Sequence, residues 1–227
     1  MSTQYFIDDS SKFMDYSNKL TTSSISTAIS VIKSGGLVVI PTDTVYGIGS
    51  DAFDMHAIKS LLKTKACKFN RPIGILVGSW NTINGLAHII TYETKELIHA
   101  FWPGPLSIIV KQAPSFQRKF TDSNGNIMLR MPLHPIAIEL LQEVGPMAVS
   151  SANTSGNPPA TSIKEAQSYF GNKVSVYLDG GNFYQQNPST IIDMTKKNPC
   201  ILRNGPININ AIAEVLCTDP SNIFQKF

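Results

Sequence analysis

Apolar positions along this chain form short runs that alternate with longer stripes at helical spacing. From Ser26 onward, "STAISVIKSGG" reads as a short helix, with Ser26 as its cap and Gly35-Gly36 as its stop. "LVVI" then reads as a buried strand ending at Pro41. "DMHAIKSLLKTKA" places Ile58, Leu61, Leu62 and Lys65 at helical spacing, with Asp54 positioned to cap. "PIGILVG", "LSIIV", "NIMLRMP", "PMAVSS", "VSVYLDGG", "STIIDM" and "CILRNG" have the length and character of strands. "TYETKELIHAFW" is a helix halted by "PGP", and "HPIAIELLQEVG" has Pro135 in the permitted first turn and Gly145 past its end. "SIKEAQSYFG" carries Ser162 and Glu165 in capping-box spacing and Gly171 as its stop. "NINAIAEVL" is a final helix.

Strands alternating with helices predict an α/β fold, and the closer spacing of the later strands predicts a mixed rather than purely parallel sheet. No internal repeat or low-complexity tract interrupts the pattern. The expected division is an N-terminal arm at residues 1–22, one domain at 23–217 and a tail at 218–227.

Composition narrows the class. The 227 residues are 42% hydrophobic and 15% charged, which suits a globular protein with a sizeable core. A net charge of +3 favours anionic ligands only mildly and does not establish nucleic-acid binding. Cys67, Cys200 and Cys217 are scattered and odd in number, as expected of reduced thiols in a cytoplasmic protein. No apolar run approaches the roughly 18 residues of a membrane span, and the first residues lack a basic-then-apolar signal pattern.

Polar segments directly follow four of the strand-like runs: "PTDTVYG", "RMPLHP", "SSANTSGNPPATS" and "RNG". Ligands collect at strand ends in open α/β sheets, so these segments form the candidate site. The first offers hydroxyls at Thr42, Thr44 and Tyr46, with Gly47 and Gly49 permitting close backbone approach; a glycine turn with satisfied threonines fits the spacing equally well. Ser151, Asn153 and Ser155 can offer donors to a phosphate or a purine edge, or simply cap a helix. Lys63, Lys65, Lys68 and Arg71 gather at a helix C-terminus, where cations suit the dipole with or without a ligand. Arg130 lies inside an apolar strand and Arg203 ends another. A cation so placed grips a carboxylate or phosphate, or pairs with a buried acid. The sequence has neither usual nucleotide-binding glycine loop, no metal spacing around its histidines and no Gly-x-Ser-x-Gly. Catalysis on these residues would work by positioning and charge stabilisation.

Taken in order, the segments resemble the YrdC-like family of threonylcarbamoyl-AMP synthases. The resemblance runs from "GGLVVIPTDTVYGIGSDAF" through "LLKTKACKFNRPIGILV", "FWPGPLSIIV", "LRMPLHP", "VSSANTSGNPPATS" and "PSTIIDM" to "ILRNGPI", about residues 25–205. It implies a twisted mixed β-sheet flanked by helices, with a concave basic cleft. It implies a nucleotidyltransferase that makes threonylcarbamoyl-AMP and diphosphate from L-threonine, bicarbonate and ATP, with Mg²⁺ accompanying ATP. A partner transferase complex would then pass the threonylcarbamoyl group to an adenosine of tRNA. By position, the resemblance puts Thr42, Thr44, Tyr46, Arg130 and Ser189 on threonine, with Arg130 holding its carboxylate. It puts Lys65, Lys68, Arg71, Ser151, Asn153 and Arg203 on ATP, with Lys65 and Arg203 acting on transferring phosphoryl oxygens.

Two departures stand out. Cys67 occupies the place of the arginine in the family's Lys-x-Arg, and Gln186-Asn187 replaces a glycine and a small or acidic residue. A second reading follows from the first departure: a YciO-like member that binds double-stranded RNA with divergent or weak catalysis. A third, carbamoyl transfer like the related domain of hydrogenase-maturation proteins, lacks its accompanying acylphosphatase-like and zinc-finger segments. A short, single-domain synthase is the expectation carried forward.

Overall fold

The computed structural model describes residues 22–66, 73–115, 124–183 and 187–226. Cys67, Lys68, Arg71, Gln186 and nearly all of the expected N-terminal arm lie outside them. The strands are β1 (Val38–Ile40), β2 (Gly47–Asp51), β3 (Gly74–Leu76), β4 (Leu106–Lys111), β5 (Asn126–Arg130), β6 (Met147–Ser151), β7 (Val176–Tyr177), β8 (Thr190–Asp193), β9 (Cys200–Arg203) and β10 (Phe224–Gln225). The helices are α1 (Thr22–Lys33), α2 (Met55–Thr64), α3 (Ile83–Leu86), α4 (Tyr92–Phe101), α5 (Pro135–Val144), α6 (Ile163–Phe170) and α7 (Ile209–Val215).

One mixed sheet runs in the order β10-β9-β8-β4-β5-β3-β6-β2-β1-β7. Its parallel pairs are β1·β7, β3·β5, β4·β8 and β9·β10; the other neighbours are antiparallel. The expected mixed α/β sheet is therefore present.

Side-chain alternation along the strands divides the core and creates the cleft. Val39, Ile75, Ile108, Leu129, Ala148, Ile192 and Ile201 pack with α2, α4, α6 and α7 on one face. Val38, Ile40, Leu76, Met147 and Val149 pack with α1 and α5 on the other. Ser107 and Ile109, Gly74 and Leu76, Met128 and Arg130, and Val149 and Ser151 are pairs two residues apart that share one open concavity. Burial of side chains such as Leu106, Ile108 and Leu129 contributes roughly 1.5–3 kcal/mol each, which makes this floor a rigid platform.

Several local expectations hold. The Asp54 carboxylate accepts from His56 N and Ala57 N at the start of α2, Pro135 opens α5, and the final helix is present as α7. Others differ. Helix α1 begins at Thr22, so Ser26 lies inside it and its carbonyl accepts from Ser30 Oγ. Ser162 does cap α6, but Glu165 reaches Thr161 N and Oγ1 instead of Ser162 N, one residue short of a reciprocal box. Residues 47–51 form strand β2, not a loop: at Gly47 and Gly49 an added Cβ would stand 2.6 and 2.8 Å from the Val149 methyls. These glycines admit a β6 side chain between paired strands. Residues 80–86 are helical, and the expected tail carries β10 and joins the sheet edge beside β9. Among the described residues no helix is long and apolar enough to cross a membrane.

Candidate active site

The concavity is a cavity of about 530 Å³. Thr42, Thr44, Tyr46, Lys65, Arg130, Ser151, Asn153, Ser189 and Arg203 all line it, drawn from the β1–β2 turn, the end of α2, β5, β6, the residue before β8, and β9. Every residue the resemblance assigned within the described segments is thus brought to one place, whereas Gly49 and Lys63 are not among the lining residues. Lys68 and Arg71 lie outside those segments.

Arg130 is tied through all three guanidinium nitrogens. Its Nε donates to Gly104 O at 3.0 Å, Nη1 to Thr44 Oγ1 at 3.0 Å, and Nη2 to Asp43 Oδ1 at 2.6 Å. The same Asp43 oxygen accepts from Leu133 N at 2.9 Å, so Asp43 fixes both the guanidinium and the turn after β5. Burial lowers the Arg130 pKa, and the Asp43 charge opposes that shift. Thr42 Oγ1 donates to Val45 O at 2.6 Å and lies 3.1 Å from Thr44 Oγ1. With the Thr42 proton committed to that carbonyl, Thr44 donates to Thr42 and accepts from Arg130. One relay therefore orients both hydroxyls.

Tyr46 lines the cavity with its ring while its hydroxyl grips the turn at 179–181. The hydroxyl accepts from Gly180 N at 2.9 Å and donates to Gly181 O at 2.7 Å. Its ring meets Phe183 edge-on, with centroids 5.0 Å apart. Tyr46→Phe strips those backbone groups of their partner, and the expected cost is about 1–3 kcal/mol. Urea unfolding checks this; an unchanged midpoint would show that the turn is held by other contacts.

Lys65 caps the C-terminus of α2, and its ammonium turns into the loop after β6. It donates to Ser151 O, to Asn153 O at 2.7 Å and to Asn153 Oδ1 at 3.4 Å. Ser155 N donates back to Lys65 O at 3.0 Å. Asn153 Nδ2 donates to Asn157 O at 2.7 Å, and Ser151 Oγ to Asn153 Oδ1 at 2.5 Å. Lys65, Ser151 and Asn153 therefore act as one hydrogen-bonded loop.

Across the cavity, Arg203 Nε donates to Ser189 O at 2.9 Å and Nη2 to Ser189 Oγ at 3.0 Å. Ser189 Oγ also lies 2.8 Å from Ser107 Oγ on β4. Burial, reinforced by the charge of Arg130, lowers the Arg203 pKa to about 10, so it stays cationic at neutral pH. Asp43, Gly104 and Ser107 complete the constellation, and the sequence reading singled out none of them. Ser107 had one available signal, a hydroxyl on the same strand face as Ile109.

His134 occupies the N-cap position of α5 behind this wall, without a side-chain capping hydrogen bond. Burial pulls its pKa down to about 4 from an ordinary 6.5, with Asp43 opposing the shift. A depressed histidine pKa means that the unfolded chain binds the extra proton first. Stability is therefore full above pH 6.5 and falls between pH 6.5 and 4, by about 3 kcal/mol for this group. His134→Gln should flatten that window in unfolding measured from pH 7 to 4; an unchanged slope would assign the loss to other groups.

The cavity wall among the described residues offers no carboxylate for a magnesium ion, and no group of three His, Cys, Asp or Glu lies together there or elsewhere among those residues. The donor set fits a magnesium ion that arrives on a nucleotide's own phosphates better than one held by protein ligands.

Comparison with known proteins places this geometry in a family. Residues 30–205 match the Sua5/YciO/YrdC family model, described as telomere recombination. A candidate threonylcarbamoyl-AMP synthase of Mycobacterium tuberculosis is 55% identical over 200 residues, covering 88% of this chain and 92% of that protein. The threonylcarbamoyl-AMP synthase of Pyrococcus abyssi is 35% identical over 190 residues, 83% of this chain but 56% of its own length. The crystal structure of P. abyssi Sua5 complexed with L-threonine superposes with a TM-score of 0.84 at 33% identity, covering 89% of this chain and 58% of that one. Escherichia coli YciO shares the fold, with a TM-score of 0.76 at 24% identity over 83% of this chain and 92% of that one. The chain belongs to the Sua5/YciO/YrdC family.

Proposed function

We propose that this protein is an L-threonylcarbamoyladenylate synthase, joining L-threonine, bicarbonate and ATP into threonylcarbamoyl-AMP and diphosphate. The observation that carries the reading is one cavity with an oriented hydroxyl-and-arginine cluster, Thr44–Arg130–Asp43, on one side and the Lys65–Ser151–Asn153 loop on another. Threonine has a carboxylate and a hydroxyl to offer the first. ATP offers phosphates and a purine edge to the second. Arg203 and Lys65 stabilise charge on the transferring phosphoryl oxygens, with Mg²⁺ entering as part of the nucleotide substrate. The product's threonylcarbamoyl group goes to tRNA through a partner transferase, and the reaction is cytoplasmic. The relatives named as synthases support this reading over the RNA-binding one, whose namesake fold is only 24% identical.

The test is selective binding. Thr44→Val should weaken L-threonine at least tenfold and leave ATP within about twofold, by calorimetric titration of each ligand. Equal effects on both ligands would contradict the assignment of the Thr44 side to threonine.

A further inference from the structure

Apart from Tyr46, the titratable residues lining this cavity among the described ones are cations. Lys65 from the end of α2, Arg130 from β5 and Arg203 from β9 line it, and among the described residues no Asp, Glu, His or Cys does. The nearby groups that could take a proton are otherwise engaged or set back. Asp43 is not among the lining residues; its Oδ1 is bonded to Arg130 and Leu133 N, while its Oδ2 is buried without a hydrogen-bond partner among the described residues. Tyr46 turns its hydroxyl into the 179–181 turn. His134, at the N-cap position of α5, sets its ring against Phe183 and is not among the lining residues.

The charges do not balance across this space. Arg130 is paired with Asp43 at 2.6 Å. Arg203 bonds only to the neutral Ser189, through Nε and Nη2, among the described residues. Its lowered pKa records, after burial, the charge of Arg130 nearby. A second positive group entering such a space is disfavoured in its charged form.

Resting on the threonine reading above, we infer that the cavity activates its amino-acid substrate by field: the α-amine binds neutral, its proton released to solvent, with no general base among the described lining residues. The zwitterion loses one ammonium proton to water on binding. The nitrogen lone pair then forms a bond to the carbon of bicarbonate as that carbon's bond to hydroxyl breaks. The departing hydroxyl takes a second nitrogen proton and leaves as water. The resulting carbamate oxygen bonds to the α-phosphorus of ATP as the bond to diphosphate breaks. Every proton is thus accounted for without a residue that accepts one. Before nucleotide phosphates meet it, Arg203 is the source of the field, and Arg130 and its partner Asp43 supply a fixed, neutralised cradle.

Proton release on binding tests this without requiring turnover. L-Threonine is titrated into the protein by calorimetry at pH 8, in two buffers of different ionisation enthalpy. About half a proton or more should be released per threonine bound. (2S,3R)-2,3-Dihydroxybutyrate, with a hydroxyl in place of the amine, should bind with none. Arg203→Gln should reduce the release. Steady-state rates give a second readout. The limb of kcat/KM for the amino acid should move to lower pH when threonine is replaced by the less basic 4,4,4-trifluorothreonine, because the limb belongs to the substrate. Threonine binding without proton release, release that persists with the dihydroxy acid, or a limb that stays fixed with the fluorinated substrate would each overturn the inference while the synthase reading stands. Failure to bind threonine at all would remove the synthase reading and the inference together.

Discussion

Lys65→Met lowers kcat/KM for ATP by about 10²–10³-fold and leaves the affinity for L-threonine within about threefold. The expectation follows from where the ammonium points. Lys65 is 4% exposed and holds Ser151 O, Asn153 O and Asn153 Oδ1 together. Methionine keeps the bulk of the stem but removes every donor, so the carbonyls of the loop lose their common partner. Truncating one member of a buried, charge-assisted set costs about 2–5 kcal/mol, which is the scale of the predicted loss. The loop that Lys65 braces is the one assigned to nucleotide, while the Thr44–Arg130 cluster keeps all its bonds. Initial rates at varied ATP, with calorimetry for threonine, separate the two. An ATP term changed less than threefold would mean that the loop holds its shape without the lysine.

Arg130→Met is expected to lose threonine binding and to destabilise the fold by about 3–5 kcal/mol, because it leaves the Asp43 carboxylate without its ion-pair partner. For a domain of this size that corresponds to a fall in Tm of roughly 6–20 °C. A second substitution tells the two losses apart. Arg130→Met combined with Asp43→Asn removes the stranded charge, so most of the stability should return. Threonine binding should not. Recovery of both would show that Arg130 serves only the fold. Recovery of neither would mean that Gly104 O and Thr44 Oγ1, the other partners of the guanidinium, dominate the energetics.

Much of the frame was legible because it is written locally. Capping by Asp54 and Ser162 and the alternation of apolar runs with helical stripes depend on residues close in sequence. Arg130 was legible for the opposite reason: a guanidinium in the apolar strand "IMLRMPL" demands a partner from elsewhere. What sequence could not supply was that partner. Asp43 lies 87 residues away and, between two threonines, looks like any turn carboxylate. The hydroxyl pair Ser107–Ser189 spans 82 residues and exists only because β4 and β8 are parallel neighbours. Strand β2 was missed because glycines at 47 and 49 lower strand propensity. Their reason for being there, room for Val149 of β6, is a contact across the sheet. The hydroxyls of the first segment also divided in a way spacing cannot show. Thr42 is satisfied locally by Val45, Tyr46 is committed to a distant turn, and Thr44 reaches the arginine.

Incubation of the purified protein with ATP, Mg²⁺, L-threonine and labelled bicarbonate measures the proposed reaction itself. The account predicts label in threonylcarbamoyl-AMP in equal amount to the diphosphate released, with both lost in Lys65→Met. A folded protein that binds ATP and threonine yet places no label in that product would contradict it.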